Sequence, residues 1–127
     1  GKVAGALRLN DDSTAVIYVN EKQPVVRQRF TIAHEYGHYL LHQRAVLDRE
    51  TGATAALREL EADRFAALLL VPLPWLDELV PHGPLDAPPM ADVRLTLKLA
   101  SRFNVSPACM RRALANLVAA RSAFSVA

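Results

Sequence analysis

Two histidines and a glutamate near residue 35 have the types and spacing of a metal site. The segment reads His34-Glu35-Tyr36-Gly37-His38. On a helix, side chains four positions apart lie on one face with Cβ atoms about 6 Å apart, so His34 and His38 can both reach one zinc ion. Glu35 stands beside such an ion without binding it, and its carboxylate can accept a proton from a zinc-bound water. The motif therefore indicates metal-assisted hydrolysis.

An acidic stretch at residues 59–63 can supply the third protein ligand that a catalytic zinc needs. It reads Glu-Leu-Glu-Ala-Asp and begins 21 residues after His38, which leaves room for one loop and the start of a partner helix. Glu59 and Asp63 share a helix face, whereas Glu61 points about 200° away from Glu59. We therefore predict Glu59 as the third ligand, rather than Glu61, and Asp63 as the carboxylate that orients a ligand histidine. Glu61 is left to solvent or to a salt bridge.

The metal motif and the acidic stretch require two helices, and local signals place both. One helix is predicted over residues 25–42, directly after Pro24, and a second over residues 55–71, ended by prolines. Residues 3–20 read as a β-hairpin around a turn signal at residues 10–13. The expected fold class is α+β, with a small antiparallel β-sheet packed on helices.

The segment 92–120 fits two kinds of secondary structure. Apolar residues at every second position of 93–99 favour a strand. In favour of helices, Asp92 is a good N-cap, and Ser106 with Pro107 can begin a second helix after a break. We predict a helix-turn-helix-like pair that closes the domain.

The composition is that of one globular domain covering residues 1–127. Hydrophobic residues make up 51% of the sequence and charged residues 22%, and the net charge of +2 does not call for a nucleic-acid partner. The single cysteine excludes an intramolecular disulfide and fits a reducing cytoplasm. The longest apolar run, residues 65–74, is far shorter than the roughly 20 residues of a membrane span, and no leader opens the chain. We expect a cytoplasmic protein with no membrane partner.

Several apolar residues have a simple structural interpretation. Phe65, Leu68, Leu69 and Trp75 follow helical spacing, which is typical of a core-facing stripe. Cys109 lies on the second helix of the C-terminal pair, where a small apolar residue is expected. We predict that all five are buried.

The two chemical motifs together resemble those of the ImmA/IrrE metallo-endopeptidases. The resemblance rests on residues 27–42, which read RQRFTIAHEYGHYLLH, and on residues 59–72, which read ELEADRFAALLLVP. The usual second motif has Asn where this chain has Asp63 and Met where it has Val71, and Asp63 restores the acid of the wider gluzincin pattern. Residues 99–106, LASRFNVS, are similar to the family's C-terminal helix-turn-helix. The similarity covers almost the whole chain.

The resemblance implies a zincin-like minimal metallopeptidase domain with one Zn²⁺ per chain. Carried over residue by residue, His34, His38 and Glu59 would be the ligands and Glu35 the catalytic base. Members of the family cleave, or trigger the cleavage of, a helix-turn-helix transcriptional repressor in the bacterial cytosol, which derepresses a mobile element or a stress response. The implied partner is therefore a protein substrate of that class.

The transition state of peptide hydrolysis needs a second electrophile besides the zinc. Tyr36, Tyr39, His42 and His82 are candidates, and the sequence does not choose among them. His42 continues the face of the two histidines by one further turn, and a supporting role is expected for it rather than metal ligation. An extended substrate could add along the edge of the strand at residues 15–19.

The C-terminal helices support a rival interpretation, in which the chain is a metal-bound, non-proteolytic regulator that binds DNA or a partner protein. Arg102, Arg111, Arg112 and Arg121 could contact phosphates, with the second helix in a major groove. Base-reading Asn and Gln residues are sparse there, and the net charge is low. We therefore favour a solvated arginine face on helices that close the protease.

Overall fold

The computed structural model describes three segments of the chain, residues 4–42, 52–83 and 85–123. They form two units, Gly1–Ala66 and Ala67–Ala127. Within the described segments the chain is mostly helical and has one two-stranded antiparallel sheet, which confirms the α+β class. None of the helices in these segments combines the length and the apolarity that a membrane crossing requires.

The sheet of the first unit is a hairpin of β1 (Gly5–Leu9) and β2 (Ala15–Val19). Gly5 pairs with Val19 at one end of the ladder, and Leu9 pairs with Ala15 at the other. The sequence predicted a hairpin over residues 3–20, of which residue 3 lies outside the described segments.

The turn of the hairpin is held by Asp12. The hydroxyl and the backbone N–H of Thr14 both donate to Asp12 Oδ1, at 2.6 and 3.1 Å. These hydrogen bonds favour the charged carboxylate, so they lower the pKa of Asp12 below its usual 3.8. Ser13 completes the turn in the left-handed region, with φ at 70°.

Helix α1 (Val25–Leu41) packs against both strands of the hairpin. Its buried positions are Thr31, Ala33 and Gly37. Gly5 allows β1 to approach it closely, because a Cβ at Gly5 would overlap the γ-methyl of Thr31. The helix was predicted over residues 25–42, and it ends one residue earlier, with the N–H of His42 donating to the carbonyl of His38 at 2.8 Å.

Helix α2 (Gly52–Leu70) begins in the first unit and runs into the second. It starts three residues before the predicted position and ends one residue earlier than predicted. Ala62 and Ala66 are fully buried along it. Phe65 lies against Gly37 of α1, where an added Cβ would come 2.9 Å from Phe65 Cδ1. The absence of a side chain at Gly37 therefore leaves room for Phe65.

The second unit is a helical assembly arranged around α5. Its elements are α3 (Leu73–Leu79), a single 3-10 turn (Pro89–Ala91), α4 (Val93–Phe103) and α5 (Pro107–Ala123). Helix α5 packs against each of the other three. The largest fully buried side chains of this unit are Val71, Leu76, Val80, Met110 and Leu114.

Capping interactions explain why residues 92–120 are helical. Asp92 Oδ1 accepts a hydrogen bond from the N–H of Leu95 at 3.1 Å, which caps the first turn of α4. Asn104 ends α4 in the left-handed conformation, with φ at 58°. Ser106 Oγ then accepts from the N–H of Cys109 at 3.0 Å and starts α5. The alternation of 93–99 therefore does not mark a strand.

The expectation that a stripe of large apolar residues is buried was wrong for three of its members. Leu68 and Leu69 are 37% and 48% exposed, and Trp75 is 65% exposed. Phe65 is half-buried, and Cys109 is buried as predicted. Helical spacing in the sequence does not by itself tell what the fold places over these residues.

Candidate metal centre

Three side chains of the first unit converge on one point. His34 and His38 come from α1, and Glu59 comes from α2. The Nε2 atoms of the two histidines are 3.1 Å apart. Glu59 Oε2 lies 3.0 Å from His34 Nε2, and Glu59 Oε1 lies 2.9 Å from His38 Nε2. The structure thus brings together the three residues that the sequence proposed as ligands.

The separations within this cluster fit a zinc ion. Two ligand atoms bound to Zn²⁺ at 2.0–2.1 Å with a tetrahedral angle lie roughly 3.3 Å apart. The measured separations are within a few tenths of an ångström of that value. Two imidazole nitrogens and a carboxylate oxygen are also a donor set that zinc binds in catalytic sites.

The hydrogen bonding around His34 is compatible with a metal ion in the cluster. Asp63 Oδ1 lies 2.8 Å from His34 Nδ1, and because a carboxylate only accepts, Nδ1 carries the proton. In the neutral imidazole, Nε2 is then a bare lone pair, and it faces an oxygen of Glu59 at 3.0 Å. Two acceptors repel each other at that distance unless a positive charge lies between them. A metal ion shared with His38 satisfies all three groups together.

Solvent exposure distinguishes the two sides of the cluster. The side chains of His34 and His38 are only 14% and 18% exposed, whereas that of Glu59 is 61% exposed. Structural zinc sites are closed by four protein ligands, while catalytic sites have three and keep one position open. Three ligands with one side facing solvent match the catalytic kind.

A second pair of residues lies on the Nδ1 side of His38. His42 Nδ1 is 2.9 Å from His38 Nδ1, and His42 Nε2 is 3.3 Å from Glu61 Oε2. The supporting role that the sequence favoured for His42 stays a prediction. Glu61, which the sequence left to solvent or to a salt bridge, is half exposed and also contacts His42. The four-residue spacing from His38 to His42 was the signal for this pair in the sequence.

The remaining candidates on α1 lie beside the cluster and not in it. Glu35 is half-buried and is not part of the group that could hold a metal ion among the described residues. Tyr36 packs edge-on against Phe65, with ring centroids 5.8 Å apart, and stacks on Tyr39 at 6.4 Å. Tyr39 follows Glu35 by four positions, so the two share a side of the helix.

His82 belongs to the second unit, where it contacts Arg121. The guanidinium of Arg121 donates to His82 Nε2 at 3.0 Å and to the carbonyl of Val80 at 2.8 Å. Its Nε–H donates to Asp77 Oδ1, also at 2.8 Å. Arg121 is therefore occupied within its own unit, which removes it from the arginines that the sequence offered for phosphate contacts.

Comparison with known proteins places this chain in a family. A family model described as the IrrE N-terminal-like domain, in a peptidase family, matches residues 1–115. Metallopeptidase ImmA of Bacillus subtilis (strain 168) is 30% identical over 82 residues, which are 62% of this chain and 48% of that protein. The chain thus spans about half the length of this curated relative. No solved structure matches the chain. Because the family model covers most of the sequence, the chain belongs to the ImmA/IrrE family.

Proposed function

We propose that this chain is a zinc-dependent endopeptidase of the cytoplasm, with one Zn²⁺ held by His34, His38 and Glu59. The observation that carries the proposal is the convergence of these three side chains with one side open to solvent. Membership of a peptidase family and similarity to a protein named as a metallopeptidase support it. A single, buried, free cysteine is consistent with a reducing compartment.

The proposed mechanism assigns the proton transfers to Glu35. Bound zinc would polarise the scissile carbonyl and lower the pKa of the attacking water toward about 7. Glu35, next to the first ligand on α1, accepts a proton from that water and returns it to the leaving amine. His34 and His38 are held in place by the carboxylate and the imidazole behind them, so neither is available as the base.

Four residues are candidates for the second electrophile that stabilises the transition state. Tyr36 packs on Phe65, and both nitrogens of His42 are engaged. His82 lies in the second unit with Arg121. Tyr39 shares the helix side of Glu35, so we propose it first, and replacing it with Phe tests the hydroxyl alone.

The proposed substrate is a regulatory protein, namely a helix-turn-helix transcriptional repressor, whose cleavage derepresses a mobile element or a stress response. The support for this class is the family resemblance. Strand β2 ladders with β1 on one side, so in the described segments its other edge has no strand partner and can receive an extended peptide.

The finer features of the fold belong to the same proposal. We propose that residues 1–127 act as one zincin-like metallopeptidase domain. Helices α4 and α5, joined by residues 104–106, would be its helix-turn-helix-like closing pair. Substrate docking is the role we propose for this pair, in preference to direct DNA binding.

The decisive experiment compares new protein N-termini in the native host expressing the chain or its Glu35→Gln variant. The substitution keeps the size of the side chain and removes the base, so zinc content should stay unchanged while every chain-dependent cleavage disappears. Glu78→Gln, at an exposed position of α3, is the matched control and should cut like the original chain.

Two outcomes contradict the proposal. Cleavage that persists in Glu35→Gln refutes the role of Glu35 as the base. If no neo-terminus depends on the chain, across stress conditions and added zinc, the metal-bound regulator becomes the better hypothesis. Salt-sensitive duplex binding that survives Glu35→Gln and is lost in the Arg111→Ala/Arg112→Ala double variant would establish that regulator.

A further inference from the structure

Behind the candidate metal centre lies a short chain of hydrogen-bonding groups that starts at an acidic residue of α2. Glu61 Oε2 is 3.3 Å from His42 Nε2, and His42 Nδ1 is 2.9 Å from His38 Nδ1. The side chain of His42 is only 9% exposed, whereas that of Glu61 is 47% exposed. The chain therefore runs from a solvated carboxylate through a buried imidazole to a ligand histidine.

The positions of the protons along this chain follow from the chemistry of its first member. A carboxylate accepts hydrogen bonds and does not donate them, so a hydrogen bond to Glu61 places the proton of His42 on Nε2. His42 Nδ1 then carries a lone pair, and it accepts a hydrogen bond that His38 donates from Nδ1–H. His38 Nε2 is consequently left as a lone pair facing Glu59 and His34.

We propose that His42 and Glu61 are positioning residues that hold His38 in the tautomer whose Nε2 binds the metal. This inference rests on the proposed function, because it assumes that His38 is a zinc ligand. Asp63 orients His34 directly, because its Oδ1 lies 2.8 Å from His34 Nδ1. The two ligand histidines are thus oriented by different means, one by a carboxylate and the other by an imidazole that a carboxylate orients.

The proposal gives each carboxylate of the acidic stretch 59–63 its own task. Glu59 faces the Nε2 atoms of both histidines, Asp63 fixes the tautomer of His34, and Glu61 acts on His38 at one remove. Helical spacing alone separates Glu61 from the other two by about half a turn. Glu61 nevertheless reaches this region, because its partner is His42, which caps the end of α1 and is not a proposed ligand.

The test measures zinc dissociation constants by competition with a chromophoric chelator. Groups that orient a ligand histidine typically contribute 10- to 100-fold to metal affinity. His42→Ala should weaken zinc binding by about 10-fold, and Glu61→Gln by about threefold, because Glu61 is half exposed and a glutamine permits either tautomer of His42. Glu78→Gln again serves as the control and should bind zinc unchanged.

A His42→Asn variant makes the test specific for the relay. Its Oδ1 can replace His42 Nδ1 as the acceptor for His38, but it has no group in the place of Nε2. Zinc affinity should therefore be largely retained in His42→Asn, and adding Glu61→Gln to it should have no further effect. If the two residues acted independently, their effects on zinc affinity would add. An equal effect of Glu61→Gln in the unmodified chain and in His42→Asn therefore overturns the proposal that Glu61 acts through His42.

Histidine tautomers can also be observed directly, through the ¹⁵N chemical shifts of the imidazole nitrogens. In the zinc-loaded protein we expect His38 to carry its proton on Nδ1 and His42 to carry its proton on Nε2. A proton on His42 Nδ1, or an unchanged zinc affinity in both His42→Ala and Glu61→Gln, overturns the inference while the proposed function stands. If the unmodified chain binds no zinc, or if Glu59→Gln binds it equally well, the proposed ligand set itself fails.

Discussion

Gly37 of α1 lies against Phe65 of α2, on the two helices that carry the candidate metal centre. A Cβ at Gly37 would lie 2.9 Å from Phe65 Cδ1 and 3.2 Å from both Cβ and Cγ of the same residue. Carbon atoms pack without strain at about 3.5–4.0 Å. Because two of the three atoms belong to the root of the Phe65 side chain, turning the ring cannot relieve the contact. Gly37→Ala therefore pushes α1 and α2 apart by roughly half an ångström.

Two opposing terms determine the effect of Gly37→Ala on stability. Alanine is favoured over glycine inside a helix by about 1 kcal/mol. Overpacking at a close contact costs about 1–3 kcal/mol. We expect a net loss of up to about 2 kcal/mol in the free energy of unfolding. Because Glu59 and Asp63 lie on the same helix as Phe65, displacing α2 should also weaken zinc binding by about 10-fold, as the loss of an orienting group does.

Chemical denaturation of the zinc-free protein and chelator competition measure the two consequences of Gly37→Ala. Phe65→Ala removes Cγ and Cδ1 and leaves only the 3.2 Å contact with Cβ. In that background Gly37→Ala should be neutral or stabilising by up to about 1 kcal/mol. The difference between the effects of Gly37→Ala with and without Phe65→Ala therefore measures the steric clash. If Gly37→Ala stabilises the otherwise unmodified chain and leaves its zinc affinity unchanged, the proposed role of the close approach is refuted.

Two further substitutions test the support of the metal centre and the packing of the second unit. Asp63→Ala should lower zinc affinity by at least about 10-fold. Asp63→Asn keeps an acceptor for His34 Nδ1–H, so its zinc affinity should fall less. Equal losses of affinity in chelator competition would contradict this. Arg121→Ala removes the donors to Asp77 and to the carbonyls of Val80 and Pro81, and should cost about 2 kcal/mol in denaturation experiments. Arg121→Lys should recover little of that loss, because an ammonium cannot reproduce the guanidinium fork.

The secondary structure was predictable where its signals are local. Pro24 directly precedes α1, Asp92 caps α4, and Ser106 caps α5, as the sequence indicated. Each of these effects acts within a few residues, so no tertiary information is needed to find it. The alternation of 93–99 was misleading because Val93 and Leu97 are exposed, and the buried positions of α4 are instead Thr96, Leu99 and Ala100.

Burial and long-range pairing were less accessible from the sequence. Trp75 is large and apolar, yet it is mostly exposed, because burial depends on what the fold places over a residue. Glu59 was preferred over Glu61 as the partner of His34 and His38 because Asp63 follows it by one helical turn. The pairing of Glu61 with His42 could not be inferred in this way, because it depends on where the end of α1 lies relative to α2.

The two supports behind the histidines differ in charge and exposure, which ranks their importance. Asp63 contacts His34 directly at 2.8 Å and has a side chain that is 28% exposed. Glu61 acts on His38 only through the ring of His42, across a 3.3 Å contact, and is itself 47% exposed. A direct, less solvated carboxylate interacts more strongly with its imidazole, so Asp63→Ala should weaken zinc binding several-fold more than Glu61→Ala. Chelator competition on both variants in one buffer decides the order, and the reverse order would contradict this ranking.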